Sequence, residues 1–413
     1  MPFQEIEIMS PVGSYESLMA AIQGGAGSVY FGIGKLNMRS RSSVNFSLND
    51  LAEITSICRQ NNIKSYLTLN TIIFDNEMEE IHRTVDAAKV SRVTAIIASD
   101  LAVLEYAREK DVEIHISTQC NITNISAVKF YSRFADVMVT ARELSLDQVA
   151  HITGQIRAQD IRGPKGNLIK IEVFVHGALC MAVSGKCYLS LHNHNHSANR
   201  GACLQACRRA YIVRDKDNEV ELEIDNEYIM SPKDLKTIQI LDKILGAGVN
   251  ELKIEGRGRS PEYVKTVTRC YREAVDACLN GTFTPEAIDK WDIELSSVYN
   301  RGFWEGYYLG KELGEWSPVH GSQATKKKVY VGIVSNYFSK SKIAHIRIDT
   351  QDLRIGDEIN IIGPTTGVYE AFIETMVKDE RTVEQVTKGE NPTIPVGQVV
   401  RRNDKVYKVV TVN

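Results

Sequence analysis

Two hydrophobic periods alternate along most of the chain, and one of them then drops out. From residue 5 to about 280, short apolar runs of strand type are separated by segments whose apolar positions recur as on a helix. The strand candidates are IEIMS (6–10), SVYFG (28–32), SYLTL (65–69), AIIAS (95–99), EIHIS (113–117), DVMVT (136–140), IEVFVHG (171–177) and ELKIEG (251–256). Most are nearly continuous in apolar residues, as parallel strands covered on both faces are. Stretches such as SYESLMAAIQGG and LSLDQVAHITGQI between them read as helices. The helix predicted from Ser260 has clear ends, with Ser260 as N-cap, Pro261 at the first helical position and Gly281 after the last turn. Its residues Val264, Val267, Tyr271, Ala274, Val275 and Cys278 share one stripe of period 3.6.

Eight strands with intervening helices predict an α/β fold of the TIM-type (β/α) barrel, which typically takes ~250 residues. A doubly wound open sheet is the alternative, because alternation does not by itself decide closure. A long insertion follows Gly177 and runs to about residue 230. After Gly314 the pattern turns strand-rich with Gly/Pro turns (KKVYVGIVSN, IAHIRI, RIGDEINIIGPTTG), which predicts a small β-barrel. The expected division is a barrel over 1–314, a linker over 315–328 and the β-barrel over 329–413.

No basic-then-apolar leader opens the sequence and no apolar run approaches the ~18–20 residues of a membrane span, so the cytoplasm is the expected compartment. That changes the reading of the eight cysteines, since thiols kept reduced in clusters are more often metal ligands or catalytic groups than disulfides. The net charge of −3 gives no global attraction for nucleic acid, so an RNA partner would need a local basic patch.

Four cysteines fall in the insertion, Cys180, Cys187, Cys203 and Cys207, with the spacing C-x6-C-x15-C-x3-C. Iron–sulfur clusters are held by irregularly spaced thiolates of this kind, whereas structural zinc favours tight C-x2-4-C pairs. The spacing indicates a metal and leaves its identity open. Cys58, Cys270 and Cys278 read as small core residues. His192, His194 and His196 alternate as HNHNH, which would gather three ligands only in an extended loop; a solvated loop is the plainer reading.

At this segment the chain resembles the peptidase U32 family, also called collagenase-like proteases. The matching blocks are SPVGSYESLMAAIQGGAGSVYFG, VHGALCMAVSGKCYLS, NRGACLQACRRAY, MSPKDL, LKIEGRGRSPEYVKTV and YNRGFWEGYY, in family order from about residue 5 to 310. The resemblance implies either a peptidase or an oxygen-independent hydroxylase acting on a tRNA wobble uridine, a ribosomal-RNA cytidine or a quinone precursor. For the RNA-acting branches it implies an iron–sulfur cluster, of the 4Fe-4S kind, in the loop 178–210, and prephenate as co-substrate. Length and domain content are most similar to the tRNA branch, which forms 5-hydroxyuridine. The C-terminal part is similar to the second domain of translation elongation factors. Lys236 stands where some members carry a further cysteine, so Cys207 would take that place here.

No G-x-S-x-G elbow and no H-E-x-x-H appears, so a hydrolase would lack recognisable machinery. Polar residues do collect at the ends of predicted strands, where such barrels place their active groups. Among them His176, Lys253 and Glu255 are the catalytic candidates, His176 as a general base or as a group behind the cluster. Arg39, Arg41, Gln119, Arg142 and Arg257 are the candidates for binding a dicarboxylate or phosphate through forked hydrogen bonds. Arg200, Arg208, Arg209 and Arg214, and in the C-terminal part Arg401, Arg402, Lys405 and Lys408, are the candidates for RNA phosphates.

Overall fold

The computed structural model describes residues 6–40, 45–211, 230–310, 314–319 and 321–412. All eight expected strands are present, and they close. β1 (Glu7–Pro11), β2 (Ser28–Gly32), β3 (Lys64–Leu69), β4 (Ala95–Ala98), β5 (Ile114–Ile116), β6 (Val137–Val139) and β7 (Lys170–Gly177) pair in parallel in chain order. The short β8 (Asp234–Lys236) lies antiparallel to the end of β7. Then β9 (Glu251–Ile254) pairs in parallel with both β7 and β1. That double pairing rules out the open doubly wound sheet.

The two faces of the strands differ. Outward positions such as Ile8, Val29, Phe31, Leu67, Ile96, Ile171 and Leu252 pack with the surrounding helices into one large core. Inward positions form only a small plug of Met9, Tyr30, Tyr66, Ala95 and Ile97. The same inward series continues into the buried polar residues Glu7, His115, Glu172, Glu251, Lys253 and Glu255. Strands that look continuously apolar therefore enclose a polar lumen. The helix Pro261–Asn280 forms as its ends predict: Ser260 is extended, Pro261 is the first helical residue, and Gly281 takes φ 72° and donates its N–H to the Ala277 carbonyl.

The C-terminal strands, among them Lys326–Phe338, Ile343–Ile348, Glu358–Gly363 and Lys405–Thr411, form an eight-stranded sheet with its own apolar cluster around Val331, Ile346, Ile361 and Val406. Among the described residues this sheet is open, so the expected small β-barrel is not what the pairings build. Its end strands are Gly367–Phe372 and Arg381–Thr382. The first docks on the helix Tyr15–Gln23 instead of meeting the other end. Gln23 Nε2 donates to the Thr366 carbonyl (2.9 Å) and Gln23 Oε1 accepts from the Val368 N–H (2.9 Å). Lys265 Nζ adds a bond to the Val368 carbonyl (2.9 Å), so two helices cover the start of this edge. The expected linker 315–328 is likewise held down: Ser317 N–H donates to the Ser231 carbonyl, Trp316 bridges Pro232, and Thr325 N–H donates to the Ser296 carbonyl. No helix among the described residues is long and apolar enough to cross a membrane.

Candidate active site

A cavity of about 150 Å³ opens at the C-terminal ends of the barrel strands, where the loops of such barrels place their chemistry. Arg39, Gln119, Arg142, Lys253, Glu255 and Arg257 line it, together with all four cysteines of the insertion and Arg208. Arg39 and Glu255, 216 positions apart in sequence, thus meet because β2, β6, β7 and β9 end at one rim.

Glu255 is the hub of the polar side. Arg39 reaches Glu255 Oε1 with Nη2 (2.7 Å) and Nε (3.2 Å), and the Tyr30 hydroxyl lies 3.2 Å from Oε2. Burial alone would raise this carboxyl, but Arg39, Arg142 and Arg257 outweigh it and hold the group at about 2. Arg257 is fixed by Asn37 Oδ1 (3.1 Å) and Thr68 Oγ1 (2.9 Å), and burial brings it down to about 10. It lies across the end of β2, where Gly32 leaves the room: a Cβ there would collide with the guanidinium and with Asn37. Arg142 sits 3.7 Å over the Phe174 ring and donates through Nη1 to the Ala178 carbonyl (3.1 Å). Its buried Nε has no partner among the described residues. Lys253 is matched by Glu172 at 2.7 Å. Among the described residues of this wall, the guanidinium groups of Arg39, Arg142 and Arg257 outnumber the carboxylate they surround, Glu255.

The opposite wall is the cysteine loop. Cys180 is exposed and Cys187, Cys203 and Cys207 are half-buried. Burial pushes Cys207 up to about 11, and the three neighbouring cysteines add to it. All four sulfurs line the same cavity, near enough for Cys180, Cys187 and Cys203 each to bear on Cys207. A donor set of four thiols is one that an iron–sulfur cluster accepts, as zinc does. The loop is seated by Gly201, whose φ of 72° and missing Cβ let it pack on the Asn37 carbonyl. Arg208 braces it through the carbonyls of Leu179 (2.6 Å) and Pro232 (2.6 Å) and the Ser231 hydroxyl (3.0 Å).

Several expected residues are placed elsewhere. His176 does not reach the cavity. A register irregularity between Phe174 and His176 inserts Val175 as an extra residue, and His176 then pairs with Ile254, facing outward. Its ring lies among Tyr263, Tyr271 and Phe303, and burial, reinforced by Lys236 and Arg259, lowers it to about 3. It is a structural group, not a base at the cavity. Arg200 is pinned to Glu77 and the Ile72 carbonyl, and Arg208 is spent on the loop, so neither offers a free guanidinium to RNA; Arg209 is exposed. Arg41 and Arg214 lie outside the described residues. His192 and His194 sit on the short helix Leu189–His194, so the HNHNH alternation does not align three ligands on one side. Lys236 pairs with Asp292 (2.8 Å) away from the cavity, while Cys207 lines it. Sequence reasoning missed Tyr30, Thr68 and Asn37. The first two are inward positions of strands and a strict period of two would have found them; Asn37, in a loop, gave no signal.

A closed parallel barrel that gathers thiols and a guanidinium–carboxylate cluster at its C-terminal mouth has the architecture of an enzyme. The chain belongs to peptidase family U32, whose sequence profile matches residues 13–318. It is 57% identical over 408 residues to a protein of Porphyromonas gingivalis named collagenase, covering 99% of both chains. It is 33% identical over 379 residues to the tRNA hydroxylation protein P1 of Bacillus subtilis, covering 90% of this chain and 86% of that one. It is 37% identical over 275 residues to a 23S rRNA 5-hydroxycytidine synthase of Escherichia coli, covering 66% of this chain and 40% of that protein.

Proposed function

We propose that this protein is an oxygen-independent tRNA hydroxylase that forms 5-hydroxyuridine at the wobble position, with a 4Fe-4S cluster on Cys180, Cys187, Cys203 and Cys207 and prephenate as co-substrate. The observation that carries the reading is the composition of the cavity: four thiols on one wall, and on the other several guanidinium groups around a single carboxylate, a lining suited to a dicarboxylate. Arg142, with an unpartnered Nε, and Arg39 and Arg257 are assigned to the carboxylates of the small molecule. Glu255 holds the guanidinium groups in place, and Lys253, held by Glu172, borders the same space. When bound, a cluster supplies one-electron chemistry or a Lewis-acidic iron. Arg208 lies against Cys207 and offsets the negative charge of the ligated loop.

The relatives named for tRNA hydroxylation and for rRNA hydroxycytidine synthesis support an RNA substrate. So do the exposed rings of Phe74 and Tyr188 and the exposed Arg209 beside the cysteine loop, since single-stranded bases stack on such rings. Arg401 and Arg402, exposed on the C-terminal sheet, are assigned a supporting role on the phosphates. The second reading, a peptidase, rests on the name of the 57% identical relative. Among the described residues lining the cavity, no hydroxyl is hydrogen-bonded to a histidine. The Ser335–His345 contact (2.9 Å) belongs to the C-terminal sheet. A peptidase needs an activated nucleophile or water.

The test is mass spectrometry of tRNA nucleosides from cells lacking the protein, where 5-hydroxyuridine and its derivatives should disappear. A Cys203→Ala variant, present at normal level, should not restore them. An unchanged tRNA profile would reject the assignment. Cleavage of a collagen peptide that survives Cys203→Ala would establish the peptidase.

A further inference from the structure

Toward the N-terminal end of the barrel, the lumen holds a second cluster, joined to the upper cavity where Glu172 Oε1 holds Lys253. His115 on β5, Glu172 on β7 and Glu251 on β9 are 1%, 0% and 2% exposed, and one donor atom from each lies within 4.8 Å of the others. His115 Nδ1, Glu172 Oε2 and Glu251 Oε2 are all buried without a hydrogen-bond partner. Buried polar atoms are nearly always satisfied, so three orphans on three adjoining residues point to a missing partner.

Charge leads to the same place. Register sets Glu172 beside Glu251 and Glu251 beside Glu7, a row of three carboxylates across the seam where β9 closes the barrel. Like charges directly opposite on neighbouring strands repel. Glu7 is answered by Lys64 (2.5 Å) and the Tyr66 hydroxyl (2.6 Å), and Glu172 Oε1 by Lys253 (2.7 Å). Among the described residues no lysine or arginine forms an ion pair with Glu251; His115 Nδ1, 3.9 Å away, is its nearest basic group.

We propose that His115, Glu172 and Glu251 bind a divalent first-row cation such as manganese or zinc. One imidazole nitrogen and two carboxylate oxygens are a donor set such ions accept, and it differs in kind from the four thiols at the other end. Glu113 Oε1 lies 3.7 Å from His115 Nε2 and is itself paired with Lys165, the position of the outer carboxylate that orients a metal-bound histidine. A cavity of about 270 Å³, lined by Lys64, Tyr66, Glu113, His115, Lys170 and Glu251, gives the ion a way in. The cation ties β5, β7 and β9 together and neutralises the carboxylates at the seam.

The experiment takes the full-length protein, strips it with a chelator and titrates it with Mn(II), following the free ion by electron paramagnetic resonance. Wild type should take up one ion per chain, and Zn(II) should displace it. Glu251→Gln, which keeps the shape and removes the charge, should weaken uptake at least tenfold, as should His115→Gln; Cys203→Ser should leave it unchanged. A wild type that takes up no ion overturns the proposal, and so does uptake indifferent to Glu251→Gln. An ion-free wild type whose Tm rises on Glu251→Gln would mean that the seam carries a shared proton instead. None of these outcomes depends on which substrate the upper cavity takes.

Discussion

Replacing His176 by Phe should make the protein less sensitive to acid, and the size of the effect follows from where the ring sits. In the folded chain the imidazole is buried among Tyr263, Tyr271 and Phe303, and burial with the nearby charges of Lys236 and Arg259 holds it at about 3, against 6.5 for the exposed group. It is therefore neutral when folded and takes a proton when unfolded at any pH between those values. The unfolded state binds more protons there, so stability falls as pH drops through 6.5 and continues to fall toward 3. At pH 5 the loss is about 2 kcal/mol, from 1.5 units at 1.36 kcal/mol each, and near pH 8 it vanishes. Phe keeps a ring in the same nest and cannot titrate. Its packing cost, whatever its size, is common to both pH values. Urea unfolding of wild type and His176→Phe at pH 8 and pH 5 isolates the term: the variant should gain about 2 kcal/mol on wild type between the two. Equal pH dependence in the two proteins would refute the placement of His176 outside the cavity in an apolar nest.

Three further outcomes follow from the same geometry. Arg142→Met should keep the contact with Phe174 and lose the ionic hydrogen bonds, weakening prephenate binding by about 1.5–3 kcal/mol, or roughly 10- to 150-fold, in a calorimetric titration; unchanged affinity would place the anion elsewhere. Anaerobically purified protein should contain iron and acid-labile sulfide. Cys203→Ser should lose most of both, whereas Cys58→Ala, in the barrel core, should keep them. Gln23→Ala removes two of the hydrogen bonds that dock the edge strand Gly367–Phe372, and should cost about 1–3 kcal/mol and speed proteolysis of the C-terminal sheet; an unaltered cleavage rate would show that Lys265, bonded to the Val368 carbonyl and Glu370, and the apolar contacts of Ile362 and Val368 suffice.

The sequence by itself determined the eight barrel strands, the ends of the helix at Pro261–Asn280 and the cysteine grouping, because each is written in local pattern: apolar runs, Ser–Pro and Gly at the caps, four thiols in one loop. Membership of the U32 family was legible for the same reason, in contiguous blocks. What strands do when they meet was not. Whether the strands closed depended on β9 pairing with both β7 and β1, a choice between partners more than 200 residues apart for one of them. Whether His176 faced the cavity depended on one extra residue, Val175, which turns the side chain to the other face and leaves no mark in composition. That the C-terminal sheet stays open, with one end docked on Gln23 and Lys265 far away in the chain, was likewise decided by tertiary contacts. The lumen's carboxylates were visible as single polar letters in apolar strands, but only register could set Glu7, Glu172 and Glu251 side by side, because lateral neighbours in a sheet come from pairing and not from sequence order.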